Sequence, residues 1–225
     1  MTRAFFITGT DTDIGKTTVA AGLLRAARNR DLTTAAAKPL ASGCHRAGTA
    51  LRNSDALILQ RECHPPLPYA LINPYAFEPA IAPHVAAREA GIALTVADLR
   101  CAVGQILVQA ADFALVEGAG GWRVPLSEDA CLSDLAVALG LPVILVVGMR
   151  LGCLNHALLT AQAIQADGLQ LAGWVANQVD PQMSRVSENL RELQSRLSAA
   201  YLGFVPRLDD ASAESVAAHL LFERL

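Results

Sequence analysis

The chain is nearly without lysine: among its 18 Lys+Arg residues only Lys16 and Lys38 are lysines, and arginine carries positive charge everywhere else. There is no basic run, and the formal net charge is −3, so duplex nucleic acid finds no electrostatic footprint. No cysteine pair has C-x-x-C spacing. The five cysteines, Cys44, Cys63, Cys101, Cys131 and Cys153, are odd in number, which argues against a disulfide framework. Cys44-His45 and Cys63-His64 are adjacent pairs with no spaced partner, a poor zinc signature. The longest apolar stretch, Leu141 to Val147, is far too short to cross a bilayer, and the first residues carry no secretory leader pattern. A cytoplasmic protein is expected, with neither membrane nor nucleic acid as partner. Charged residues make up only 17% and hydrophobic residues 52% of the 225, which excludes a disordered chain and is enough for one well-buried domain, residues 1–225. Neither a repeat nor a linker interrupts it.

Lysine scarcity also points at what is present. Arginine is a wide planar fork and lysine a compact ammonium, so the two are not exchangeable at a tight phosphate site. Lys16 lies in Gly9-Thr10-Asp11-Thr12-Asp13-Ile14-Gly15-Lys16-Thr17-Thr18. An apolar run, Ala4-Phe5-Phe6-Ile7, precedes this stretch, and an Ala/Leu-rich segment, Val19 to Arg28, follows it. Strand, glycine-bounded loop and helix are the context a phosphate-binding P-loop needs, because loop and helix N–H groups converge on phosphate oxygens. A Gly-Lys-Thr arising by chance would lack that context. Five residues separate Gly9 from Gly15 where the usual pattern has four, and on the shorter register Thr10 replaces the first glycine. On this reading Lys16 reaches the β- and γ-phosphates and Thr17 ligates Mg²⁺. Lys38 ends a small-residue strand, Thr33 to Ala37, just before Pro39. That is an unusual place for an ordinary surface lysine.

Further along, Asn53-Ser54-Asp55 reads as a helix start, with Asn53 or Ser54 as cap. Residues 64–83 hold six of the eleven prolines and are expected to be loop, either a plain surface excursion or a functional segment. Thr95 to Ala111 has helical periodicity, Phe113 to Val116 is a buried strand ending at Glu117, and Leu135 to Leu139 is helical. Pro142 to Val147 is the most apolar strand. A helix (Ala157 to Ala166), a strand (Leu171 to Ala176), a charged helix (Arg185 to Leu197), a strand (Leu202 to Val205) and a helix (Ala213 to Phe222) complete the chain. Alternating strands and helices imply an α/β fold: a mostly parallel twisted sheet with helices on both faces, of P-loop NTPase type. In such sheets ligands bind at the carboxyl ends of the strands. That edge collects the P-loop, Lys38, Glu117, Gly148, Asn177 and Pro206. Glu117 stands where a Mg²⁺-binding acid is expected, while Asp55 is either a second metal ligand or a helix-cap acid.

Several longer motifs carry a family resemblance. Gly9-Thr10-Asp11-Thr12-x-x-Gly15-Lys16-Thr17, Lys38-Pro39-x-Ala41-Ser42-Gly43 and Arg52-Asn53-Ser54-Asp55 are followed by Asn73-Pro74-Tyr75 and Val116-Glu117-Gly118-Ala119-Gly120-Gly121. Leu151-Gly152-Cys153-x-Asn155-His156 and Gly173-Trp174-Val175-Ala176-Asn177 complete the series. In this order they resemble the dethiobiotin synthetases over nearly the whole length, and that family's P-loop has the same extra residue. The resemblance implies ATP-dependent closure of a cyclic urea from 7,8-diaminononanoate and CO₂ (bicarbonate), with ATP and Mg²⁺ and no organic prosthetic group. It assigns Lys16 and Lys38 to phosphate and carbamate charge, and Thr12 and Ser42 to the γ-phosphate or carbamate. Thr17, Asp55 and Glu117 become Mg²⁺ ligands. Asp13, Ile14, Gly15 and Thr18 belong to the nucleotide cradle, and Asn177 with Pro206, Arg207, Leu208 and Asp209 to the adenine. Asp13, Gly118 and Gly121 face the diamine. Gly152, Cys153, Leu154 and Asn155 hold the substrate carboxylate from the partner subunit of a homodimer, although Asn155 could equally cap its own helix.

Two departures from the family pattern bear on the substrate. Asp13 stands where the family often has Glu, and Ala80-Ile81-Ala82 stand where hydroxyl side chains can occur. A competing assignment is a nucleotide-switched partition-type ATPase acting through a protein partner. Such proteins often end in a basic amphipathic helix, and Ser212 to Leu225, with Glu214, Glu223 and Arg224, is not one. An amidotransferase-type synthetase would need a glutaminase domain for which there is no room.

Overall fold

The computed structural model describes residues 3–225. Its elements run β1 (Arg3–Gly9), α1 (Lys16–Arg28), β2 (Thr34–Ala37), β3 (Leu40–Ala41), β4 (His45–Ala47), β5 (Ala50–Arg52), α2 (Ser54–Arg61), α3 (Tyr69–Ile72), β6 (Tyr75–Ala76) and α4 (Pro83–Glu89). Then follow α5 (Val96–Leu107), β7 (Phe113–Glu117), α6 (Leu132–Leu139), β8 (Val143–Met149), α7 (Cys153–Ala166), β9 (Leu171–Gln178), α8 (Val186–Arg196), β10 (Ala200–Val205), α9 (Ala213–Ala217) and a 3₁₀ turn (Phe222–Arg224).

Six strands form one parallel sheet in the order β10-β9-β8-β1-β7-β2. Strands covered on both faces must be apolar continuously rather than in alternation. β7 and β8 are buried along their entire length, and β1 from Phe5 onward. Helices α1, α5 and α7 supply the covering layers, and Phe113, Leu115, Ile144 and Trp174 lie in the core between them. Register decides what the carboxyl edge presents. Ile7 is opposite Glu117, and Gly148 and Val205 are both opposite Asn177. Ala37 is opposite Val116, so the next residue of each strand, Lys38 and Glu117, emerge side by side.

Several elements differ from the sequence-based expectation. Residues 42–51 show no periodicity, yet contain an exposed antiparallel hairpin, β4–β5, turned at Gly48 with φ 64°. Three-residue strands exposed to water carry no alternation to detect. The proline-rich stretch is loop-rich as expected, and also holds the short α3, β6 (paired with β3) and the first residue of α4. Pro83 occupies the first turn of α4, where its missing N–H costs nothing. α5 stops at Leu107, short of Ala111, and Ala110 turns through a positive φ of 54° into β7. The expected helix to Phe222 breaks after Ala217. Leu221 donates its N–H to Leu202 O at 2.7 Å, and Leu220 bridges Gly203, so this segment is drawn alongside β10 instead. Gly148 and Asn177 lie inside their strands rather than after them. Among the described residues no helix is long and apolar enough to cross a membrane.

Candidate active site

β1 delivers the chain to the centre of the carboxyl edge, where Thr10 N–H still bonds Val146 O at 3.0 Å and Thr10 Oγ1 accepts from Gly148 N at 3.2 Å. The loop then turns through Asp13 (φ 55°) and Gly15 (φ 83°) into α1. Gly15 is required twice over. Its left-handed φ favours glycine, and a Cβ there would stand 2.2 Å from Asn177 Nδ2. No side chain caps α1, so its first N–H groups face the loop ready for an anion. In this state Lys16 Nζ donates to Asp11 O at 2.7 Å. Burial pulls the Lys16 pKa down to about 8, with Lys38 adding to the fall and Glu117 and Asp55 opposing it. Asp11 is held by Arg150 from the end of β8, which ties the loop to the neighbouring strand.

Glu117 is 1% exposed and forms the hub of the site. Its Oε1 accepts from Thr17 Oγ1 at 2.8 Å and from Lys38 Nζ at 2.5 Å. Lys38 Nζ also pairs with Asp55 Oδ2 at 3.1 Å. Burial presses the Lys38 pKa down, but the charges and hydrogen bonds of Glu117 and Asp55 outweigh it, and the net shift is upward. Glu117 Oε2 is buried without a hydrogen-bond partner among the described residues. A buried acceptor left open is costly unless something else satisfies it. Thr17, Asp55 and Glu117 are hard oxygen donors lining one cleft, and this set fits Mg²⁺, which takes few protein oxygens and leaves the rest to water and phosphate. Among the described residues there is no group of three or more His, Cys, Asp and Glu placed to hold a metal ion.

Two clefts open at this edge. The larger, about 800 Å³, is lined by Thr12, Asp13, Gly15, Lys16, Thr17, Thr18, Lys38, Ser42, Asp55 and Glu117, with Ala80 to Pro83 and Ala119, Gly120 and Val124 as walls. The smaller, about 340 Å³, is lined by Asp13, Gly15, Thr18, Asn177, Gln178, Val179, Pro206, Arg207 and Leu208. They meet at Asp13, Gly15 and Thr18, so one elongated ligand can pass over the P-loop from one to the other. In the smaller cleft Asn177 Nδ2 donates to Ile14 O at 2.8 Å. One of its two amide N–H donors is thereby engaged, which leaves the second N–H as donor and Oδ1 as acceptor.

Not every expected residue lines a cleft. Ile14 is buried and contributes its carbonyl, and Asp209 is exposed beside the smaller cleft without lining it. Gly118 and Gly121 pack inward, toward Phe6 and Gly9 O, so they let the loop lie against the P-loop. Gly152, Cys153, Leu154 and Asn155 form the start of α7 and line neither cleft of this chain.

The sequence reading also missed supporting residues. Asn73 Nδ2 donates to Lys38 O at 2.7 Å, and Lys38 N–H bonds Ile72 O at 2.8 Å, so the proline-rich segment fixes the Lys38 backbone. Tyr69 Oη bridges Asn53 N–H (2.7 Å) and Asn73 Oδ1 (2.9 Å), tying that segment to the start of α2 that carries Asp55. Asn53 is the true cap, accepting Ala56 N–H at 3.1 Å. Asn73-Pro74-Tyr75 among the family motifs was the one signal pointing here.

Known proteins bear on this geometry. The family model described as AAA domain matches residues 3–215. An ATP-dependent dethiobiotin synthetase of Pseudomonas paraeruginosa is 65% identical over 217 residues, 96% of this chain and 95% of that one. One from Chromohalobacter salexigens is 54% identical over 228 residues, covering 96% of each. Among solved structures, the MinD cell division protein of Aquifex aeolicus aligns with 99% of this chain and 95% of its own at TM-score 0.60 and 13% identity. Cobyrinic acid a,c-diamide synthase from Mycobacterium smegmatis, with bound ATP analog and magnesium, aligns with 97% and 92% at TM-score 0.59 and 16% identity. At those identities the structural likenesses show the P-loop NTPase fold alone, and the partition-type resemblance goes no further than that.

Proposed function

The chain belongs to the AAA domain family and, within it, to the ATP-dependent dethiobiotin synthetases, and from that premise we propose how its residues divide the reaction. The enzyme is a ligase of biotin biosynthesis. One amine of 7,8-diaminononanoate adds CO₂ to give an N-carbamate. A carbamate oxygen attacks the γ-phosphorus of ATP and ADP leaves. The second amine then attacks the carbonyl carbon of the carbamic-phosphoric anhydride, phosphate departs, and the cyclic urea of dethiobiotin is closed.

One observation carries the division of roles: the two lysines of the chain converge on one cleft. Phosphoryl transfer asks a protein for positioning and charge neutralisation more than for covalent chemistry. Lys16 serves the phosphates from the P-loop. Lys38, anchored on Asn73 and Ile72, presents a second ammonium where the carbamate meets the γ-phosphate. Thr12 and Ser42, at the mouth of the same cleft, position the carbamate, and Asp13 contacts an amine of the diamine. Gly118 and Gly121, packed inward, seat the loop against the P-loop so that Ala119 and Gly120 form the wall beside the substrate. When bound, Mg²⁺ held by Thr17, Asp55 and Glu117 supplies charge to the β- and γ-phosphate oxygens. Asn177, with Pro206 to Asp209 beside it, receives the adenine. Its Oδ1 can accept from the exocyclic amine of adenine. Gly152 to Asn155 hold the substrate carboxylate of the partner subunit's site, so the working unit is a homodimer of single-domain chains, residues 1–225, acting in the cytoplasm.

Phosphate release from ATP, measured with Mg²⁺ and bicarbonate, tests the reading. Release is expected to depend on the diamine and to yield dethiobiotin one for one. Release indifferent to the diamine would instead favour a nucleotide switch.

A further inference from the structure

The loop after β7 forms one wall of the larger cleft through Ala119, Gly120 and Val124. Glycine gives it freedom, and its ends are fixed by backbone alone: Gly118 N–H to Ile7 O at 3.0 Å, and Leu132 N–H to Val124 O at 2.8 Å. What fixes the middle lies outside every motif noted in the sequence. Trp122 Nε1 donates to Asp167 Oδ2 at 2.7 Å, and Arg123 Nη2 donates to Asp167 Oδ1 at 2.7 Å. Both carboxylate oxygens of one residue are thus spent on consecutive residues of this loop.

The position of Asp167 is informative. It is the C-cap of α7, where the helix dipole disfavours negative charge and where lysine or arginine is preferred. Its partners therefore come from the loop, not from its own helix. The anchor is sheltered: the Asp167 side chain is 17% exposed and Trp122 4%, and the indole ring stands edge-on to Phe6 of β1 at 6.1 Å. Arg123 continues the tie to Ser133 Oγ at 3.1 Å, at the start of α6.

We infer that Asp167 is a positioning residue for the diamine side of the cleft. By clamping Trp122 and Arg123 it holds the Gly118–Val124 loop in the conformation that the substrate meets, and this rests on the synthetase reading above. The Trp122 and Arg123 side chains bond Asp167 and Ser133 rather than the P-loop or the Asn177 cleft, and the loop lies against the P-loop through backbone beside Gly121, so the larger effect is expected on the diamine.

The test uses the full-length enzyme with Asp167→Ala, Asp167→Asn and Trp122→Phe. Asp167→Ala is expected to raise the KM for the diamine by roughly tenfold, because a displaced wall misplaces the reacting amines. The KM for ATP should stay within about twofold. Asp167→Asn keeps an acceptor for the indole, and Trp122→Phe keeps the ring against Phe6 but removes its N–H, so both should fall between wild type and Asp167→Ala. Tryptophan emission reads the loop without turnover. The chain has two tryptophans, and Trp174 is core and constant, so a red shift with greater acrylamide quenching in Asp167→Ala reports Trp122. An unchanged diamine KM in Asp167→Ala would overturn the inference, as would equal rises in both KM values with a lowered melting temperature. Wild-type enzyme indifferent to the diamine would sink the synthetase reading instead, and the emission of Asp167→Ala would still decide whether Asp167 holds the loop.

Discussion

At the scale of single residues the site is a balance of charges around Glu117, and each member makes a separable claim. Lys16→Ala and Thr17→Val should lower turnover by about 10²-fold or more, as loss of a preorganised charge contact does. Circular dichroism and melting temperature should stay near wild type, because both side chains serve the ligand. Near-normal activity of either variant would refute the P-loop assignment. Lys38→Arg should also fail, since a planar fork cannot reproduce the compact ammonium paired with Glu117 and Asp55 at the cleft. Asp55 was the residue whose sequence context left two roles open. Asn53 now takes the capping role, and the Asp55 carboxylate reaches Lys38 instead. As a Mg²⁺ ligand, Asp55→Asn should shift the Mg²⁺ dependence of the rate to higher concentration, and an unchanged titration would leave Asp55 as the partner of Lys38 alone. Lys16 gives a pH signature. Burial lowers its pKa to about 8 in the free site, and arriving phosphates favour the charged form and raise it. Bound enzyme then holds more proton than free enzyme above that pH. ATP affinity should be level below pH 8 and fall above it, with proton uptake on binding at about pH 9. Calorimetry in two buffers of unlike ionisation enthalpy measures this directly, and zero uptake there would contradict it.

At the scale of elements, what could be read in the sequence was whatever the core dictates. β7 and β8 are buried along their whole length, so continuous apolar runs announced them, and their carboxyl ends placed Glu117. The P-loop and the start of α1 were readable because glycine, lysine and threonine there answer to phosphate geometry. The hairpin β4–β5 and the short α3 and α4 were not, because they are too short or too exposed for burial to impose a period. The supports of Lys38 were hidden for another reason: Asn73 and Tyr69 act through hydrogen bonds across 35 and 16 residues of chain, and no local pattern encodes such pairings. The start of α7 lies between these cases. Gly152 caps it at φ 95° with no side-chain partner, which leaves N–H groups open to an anion. Esterifying the far carboxylate of the diamine should therefore weaken its binding by about 0.3–2 kcal/mol and leave ATP affinity alone. Equal affinity for acid and ester would remove the anion site from this helix.

At the scale of the whole molecule, that helix start raises a question of geometry, because it lines neither cleft of its own subunit. If it holds substrate, the substrate must belong to another copy. Apolar exposure around it is consistent with that arrangement: Leu151 is 94% exposed and Leu159, on α7, 57%. Shared sites make a sharp demand on mixtures of variants. Lys16→Ala disables the P-loop of a chain but leaves its α7 sound. Asn155→Glu places a negative charge in the first turn of α7, where the helix tolerates it and the substrate carboxylate does not. Each variant alone should be nearly inactive with the diamine. In a two-fold dimer formed from equal amounts after exchange, half the dimers are mixed. Each mixed dimer holds one site made of a sound P-loop and a sound α7. Activity should then recover to about a quarter of wild type, rising with the rate of subunit exchange. Sites contained within one chain would give no recovery at any ratio, and that result would confine Gly152 to Asn155 to forming the first turn of their own helix, which Gly152, and not Asn155, caps.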